Sequence, residues 1–167
     1  MYVVLDTNVW VNAFSEYGNK KYMNDSFMII SDFMQIEDYM LAVDNRGFVL
    51  SEYDRELDKN RFYQLFINQL RNGCRIYYVD GTLNSSVRDK LMKLGFHEES
   101  DQIFTAVALN TDKYIISDDS DYGTHDYDGE DKLKVHEYMC NELKMRVESS
   151  EDGLKSLQER LSKGKAQ

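Results

Sequence analysis

Apolar positions fall in two rhythms along this chain, short unbroken runs and longer stretches at helical spacing. Tyr2-Val3-Val4-Leu5 is a compact apolar strand, and the stretch from about Val9 to Tyr17 predicts a helix after it. Tyr22 to Gln35 carries Met23, Phe27, Ile30 and Met34 close to helical spacing, the mark of a helix with an apolar face. Tyr39 to Val43 predicts a second strand, and Asp44-Asn45-Arg46-Gly47 a turn in which Gly47 supplies a backbone conformation other residues resist. Ser51 then caps a long helix running to about Arg71, with Tyr53, Leu57, Phe62, Leu65, Phe66 and Leu70 as core contacts and Asn72-Gly73 as its stop.

The second half repeats the alternation. Arg75 to Val79 predicts a third strand, and Asn84 to Leu94 and Ser100 to Leu109 two helices separated by Gly95. Lys113 to Ser117 is a fourth strand, followed by a polar, acidic loop from Asp118 to Gly129. Lys132 to Leu143 reads as helix and Lys144 to Val147 as a short fifth strand. Ser149-Ser150-Glu151-Asp152 starts a final amphipathic helix carrying Leu154, Leu157 and Leu161. Strands alternating with helices predict an α/β sheet with crossover helices, in one domain over residues 1–162 with a frayed tail at 163–167.

Composition narrows the class. With 167 residues, 42% hydrophobic and 30% charged, the chain is long enough for one sizeable core and has the balance of a globular protein. Apolar runs such as Phe27 to Ile30 are far too short to span a bilayer, and no basic region precedes an apolar stretch at the N-terminus, so a cytoplasmic location is expected. Cys74 and Cys140 have no metal-ligand spacing and read as reduced, buried or half-buried thiols, while His97, His125 and His136 are scattered; zinc is not expected. A net charge of −10 argues against holding nucleic acid by bulk electrostatics. It leaves room for a metal-dependent enzyme, whose acidic cluster a divalent cation would offset, and for a basic protein partner.

The acids carry the candidate chemistry. Asp6 ends the first strand and Asp119 follows the apolar part of the fourth, so parallel pairing would set them side by side at the carboxyl edge of a sheet, where α/β ligand sites form. Carboxylates so close repel unless a cation lies between them. Asp6 alone is equally suited to capping the next helix, and Asp101, opening the Gln102 to Ala108 helix, to complementing its dipole. If the chain after Ser117 stays extended, Asp119 and Asp121 share a side and Asp118 points away, to count with Glu98 and Glu99 as surface charge. Glu52 and Glu56 are one helical turn apart, and Glu52, nearer the helix start, is the preferred ligand. Asn8 and Ser117 are suited to bracing a carboxylate or meeting a phosphate.

Taken in order, Leu5-Asp6-Thr7-Asn8-Val9, then Asp101 before an Ile/Ala-rich helix, then Ile115-Ile116-Ser117-Asp118-Asp119-Ser120-Asp121-Tyr122, resemble the PIN-domain nuclease family over roughly residues 1–160. The resemblance implies a three-layer α/β/α sandwich around a mostly parallel sheet, and a divalent-metal-dependent endoribonuclease. It matches Asp6, Asp101 and Asp119 to the first, third and fourth family acids and Asp121 to a frequent additional one, with Mg²⁺ or Mn²⁺ as the cofactor. The second acid, a helical glutamate, is met either by Glu52 or by Glu56 of Glu56-Leu57. Toxin members of the family pair with an antitoxin, a partner an acidic chain suits if it is basic. A homodimer through the long helices is a further possibility.

The implied reaction is hydrolysis in which bound cations lower the pKa of water and steady the leaving oxygen, so no nucleophilic side chain is needed. Lys20, Lys21, Arg46, Arg88, Lys90 and Lys93 are candidate contacts to an RNA substrate, though each taken alone reads first as a solvated surface charge. Two rival readings remain. An aspartate-nucleophile phosphatase would use Asp6 but wants a second Asp where Asn8 stands. A non-catalytic PIN-like scaffold would have no need of so many self-repelling carboxylates.

Overall fold

The computed structural model describes residues 1–125 and 128–164; residues 126 and 127 of the acidic loop and residues 165–167 of the expected tail lie outside the described residues. One five-stranded sheet, in the order β3-β2-β1-β4-β5, organises the chain. Its strands are β1 (Tyr2–Leu5), β2 (Met40–Asp44), β3 (Ile76–Val79), β4 (Tyr114–Ile116) and β5 (Arg146–Glu148), and every pairing is parallel. The three inner strands are short apolar runs because both their faces are covered: Val3, Val4, Leu41, Ala42, Val43, Ile115 and Ile116 are fully buried.

Eight α-helices among the described residues flank the sheet: α1 (Thr7–Phe14), α2 (Met23–Gln35), α3 (Phe48–Leu57), α4 (Arg61–Asn72), α5 (Ser85–Lys93), α6 (Glu99–Leu109), α7 (Glu130–Glu137) and α8 (Ser150–Gly164). The chain steps from β1 to β2 to β3 in one direction, then returns to β4 and β5 on the far side of β1. Right-handed crossovers therefore put α1, α2 and α4 on one face and α5 to α7 on the other, a three-layer α/β/α arrangement, while α3 reaches from α1 to α6 along β2. Helix α6 lies against β2, β1 and β4, and α8 packs on α2, where the Ser26 and Ser150 hydroxyls meet at 3.0 Å. The reversal of direction falls between β1 and β4, opening a crevice at their carboxyl ends. Among the described residues no helix is long and apolar enough to cross a membrane.

Several local expectations are corrected. The helix expected from Ser51 to Arg71 is two helices, because the Asn60 side chain accepts hydrogen bonds from the amides of Phe62 and Tyr63 at 3.0 and 3.1 Å and starts α4 afresh. Nor does Ser51 begin α3. Gly47, at φ +82°, turns the chain, and the Asp44 carboxylate accepts from the amides of Arg46 (2.9 Å) and Val49 (2.7 Å). Helix α4 buries Tyr63, Ile67 and Leu70, leaving Phe62 and Leu65 exposed rather than in the core. Helix α2 likewise buries Ile29, Ile30 and Phe33 while Met23 and Phe27 face outward, and the rings of Phe27 and Phe62 rest on Phe14.

Lys144 has φ +56°, so the last strand starts two residues later than expected. Cys74 is exposed rather than buried, and Cys140 is half-buried. Helix α8 continues through Gly164, into the stretch expected to fray.

Candidate metal centre

The site is built on the two strand ends at the crevice. The amide of Asp6 donates to the Ile116 carbonyl at 3.0 Å, extending the β1–β4 pairing one residue beyond Leu5 and holding the Asp6 backbone beside Ser117. The Asp6 side chain accepts from the Thr7 amide at 2.6 Å as the N-cap of α1, and on its other oxygen from Ser117 Oγ at 2.5 Å and Asn8 Nδ2 at 3.0 Å. Capping and membership of an acidic cluster are thus both properties of this one residue. Ser117, fully buried, also accepts from the Asp119 amide at 3.0 Å, and Asn8 Oδ1 accepts from the Asp118 amide at 3.1 Å. Asn8 and Ser117 brace the loop between the acids.

The chain after Asp119 is not extended. It coils into a 3-10 turn over Ser120–Tyr122, capped by the Asp119 carboxylate, which accepts from the Asp121 amide at 2.9 Å. The turn, rather than strand alternation, brings Asp119 and Asp121 to one side. It ends at Gly123, φ +60°, where a Cβ would stand 2.2 Å from the Lys132 carbonyl; glycine is required on both counts. That close approach seats α7 so that Lys132 Nζ lies 2.5 Å from Asp121. Nothing in the spacing of the sequence marked Lys132, which reaches the acid from a separate helix.

Asp101 enters from the first turn of α6, on the opposite face of the sheet, and the hydroxyl of buried Tyr122 donates to its carbonyl at 3.1 Å. Oxygens of Asp101, Asp119 and Asp121 lie within 4.8 Å of one another. Glu52 comes from α3, whose neighbour Tyr53 donates its hydroxyl to the Leu5 carbonyl, and Glu52 accepts from Thr7 Oγ1 at 2.6 Å. Asp6, Glu52, Asp101, Asp119 and Asp121 together line a cleft of about 380 Å³. Glu56 also borders this cleft but is exposed and ion-paired with Arg55 at 3.0 Å, and Glu98 stands exposed at its edge.

Asp118 does point away, yet it is not surface charge. Its side chain is 1% exposed, accepting from Asn12 Nδ2 (3.2 Å), the Ser150 amide (2.8 Å) and Ser150 Oγ (2.5 Å), which fastens α1 and the start of α8 to the loop. The alternation of side chains along the loop marked its direction and not this buried role.

Electrostatics set the remaining acids apart. Burial raises Asp6 to about 7, with Asp119 and Glu52 adding repulsion that the hydrogen bonds from Ser117 and Thr7 only partly offset. Burial raises Asp101 to about 8, reinforced by Asp6, Asp119, Asp121 and Glu52. The Asp101 side chain is nearly buried and accepts no hydrogen bond among the described residues. A carboxylate so placed must take up a proton or share a cation, and oxygen-only donors match hard divalent ions such as Mg²⁺ or Mn²⁺. The residues present therefore fit such an ion.

Compared with known proteins, the chain matches no family model and no curated protein. A solved structure described as VapBC2 from Rickettsia felis bound to a DNA fragment from their promoter is similar over 89% of this chain and 98% of that one, at 15% identity and a TM-score of 0.44. That likeness is too slight to carry an argument.

Proposed function

We propose that the chain is a divalent-metal-dependent nuclease, an endoribonuclease of the PIN type that its sequence resembles. The observation that carries the reading is Asp101: a buried carboxylate with no hydrogen-bond donor among the described residues, in a cleft it shares with Asp6, Glu52, Asp119 and Asp121. Asp6, Asp101 and Asp119 would hold Mg²⁺ or Mn²⁺, with Asp121 beside them and Glu52 held by Thr7 at the same opening. The bound ion would supply a lowered pKa for the attacking water and charge to steady the leaving oxygen.

The chain's own groups orient rather than react. Ser117 and Asn8 fix the Asp6 carboxylate, and Lys132 offsets the charge of Asp121. Asn8, a carboxamide engaged by Asp6 and the Asp118 amide, stands where aspartyl-phosphate chemistry wants a second acid. RNA as the substrate, and an antitoxin as a partner, rest on the family resemblance alone.

The test compares wild type with Asp6→Asn and Asp119→Asn on mixed-sequence RNA and single-stranded DNA, in Mg²⁺, Mn²⁺ or EDTA. Cleavage of RNA by wild type alone, abolished by EDTA, is expected. Equal cleavage by all three proteins would overturn the assignment. No cleavage by wild type, with no Mn²⁺ bound, would leave the scaffold reading.

A further inference from the structure

We infer that a single-stranded polynucleotide leaves the acidic cleft along one groove between α3, α5 and α6, stacking a base on Phe48 and setting its phosphates against Arg46 and Arg88. The assignment rests on the nuclease reading and extends it to the path of the substrate. Two further hollows, of about 400 and 470 Å³, continue from the cleft. The first shares Glu52, Arg55 and Ser100 with it; the second shares Phe48, Glu99 and Ile103 with the first. The three depressions adjoin one another across these shared residues.

Phe48 stands where the two outer hollows join and is 55% exposed, in the first turn of α3. An apolar ring left in water at the middle of a groove is a platform for an unpaired base. Arg46 and Arg88 line the outer hollow, both exposed, and neither side chain makes a hydrogen bond or ion pair among the described residues. In a chain of net charge −10, two unengaged guanidinium groups beside an open ring are the chemistry of phosphate and base contact. Asp44, which borders the same hollow, is occupied by the turn amides of Arg46 and Val49. Asp89 and Glu99 remain exposed there, so the arginines act at contact range rather than through a long-range positive field. Unpaired bases suit the ring, and the two guanidinium groups beside it offer contacts to the adjoining phosphates.

The experiment uses the full chain and a labelled single-stranded RNA of about 12 nucleotides, within the span such grooves cover. Binding is read by fluorescence anisotropy in Ca²⁺, and hydrolysis separately in Mn²⁺. Phe48→Ala is expected to weaken binding about tenfold while Phe48→Tyr retains it. The Arg46→Ala/Arg88→Ala double variant should weaken it about tenfold and flatten the salt slope by about 1.4. Turnover of bis(p-nitrophenyl) phosphate, too small to reach the groove, should be unchanged in all three. Hydrolysis of RNA by wild type with binding unaltered in the variants would overturn the groove and leave the nuclease standing. Altered binding without hydrolysis by wild type would leave the groove and remove the nuclease. Parallel loss of binding and of small-diester turnover would mark the substitutions as structural and overturn the assignment.

Discussion

The hydroxyl of Thr7 donates to the carboxylate of Glu52 at 2.6 Å, fastening the first turn of α1 to the middle of α3. Glu56, one turn on, is held instead by Arg55 at the outer lip of the cleft. Glu52→Gln is therefore expected to lower Mn²⁺-dependent RNA cleavage about 10- to 100-fold, the range seen when groups supporting a metal site are removed. Glu56→Gln should stay within about threefold of wild type by the same reasoning. Initial rates on one RNA check both, and the opposite order would transfer the helical role to Glu56.

Stability should fall with rising pH at this site when divalent ions are absent. The carboxyls of Asp6 and Asp101 are raised from 3.8 to about 7 and about 8, so their protonated forms favour the folded state. That contribution is complete below the unfolded value of 3.8 and is lost as pH climbs through the folded values. Asp101→Asn, which does not ionise, should thus melt about 3 °C or more above wild type in EDTA at about pH 9, with the gap closing toward about pH 4. Calorimetric melting curves across that range supply the check; a gap that is flat with pH would contradict it.

Protons and cations should compete for the same two carboxylates. Binding of Mn²⁺ is expected to release protons near neutrality and to weaken about tenfold or more for each pH unit lost below about 7. Isothermal titration in buffers of different ionisation enthalpy measures the release. Asp101→Asn should release fewer protons than wild type.

Asp118 should be a stability residue. Removing its carboxylate leaves Ser150, the amide at the start of α8 and the Asn12 side chain without their acceptor. Asp118→Ala is expected to lose about 3 kcal/mol in urea unfolding, because hydrogen bonds to a charged acceptor are broken in a buried place. At temperatures where the variant stays folded, its Mn²⁺ affinity should fall less than that of Asp119→Asn.

What the sequence made legible follows from how strongly each signal is local. Inner strands buried on both faces read as unbroken apolar runs, so β1, β2 and β4 could be located from pattern, and parallel pairing of the first and fourth then set Asp6 and Asp119 at one edge. The α3–α4 break escaped because the apolar spacing runs on through it, and the decisive residue, Asn60, sits among ordinary polar positions. Phe27 and Phe62 were misjudged because spacing reports an apolar face without saying whether a neighbour covers it. Lys132 was invisible for a different reason: its place beside Asp121 depends on a glycine turn letting α7 approach, a tertiary fact with no periodic trace.

The clasp at Asp118 also orders events in time. Asp6, Glu52, Asp101 and Asp119 are all synthesised before Ser150, which lies 32 positions beyond Asp118 and secures the loop on which Asp119 sits. While α8 is still being made, the acids have already emerged but the loop that carries the last of them lacks its tie to that helix. A growing chain therefore carries its full set of carboxylates before its last anchor, Ser150, has been made.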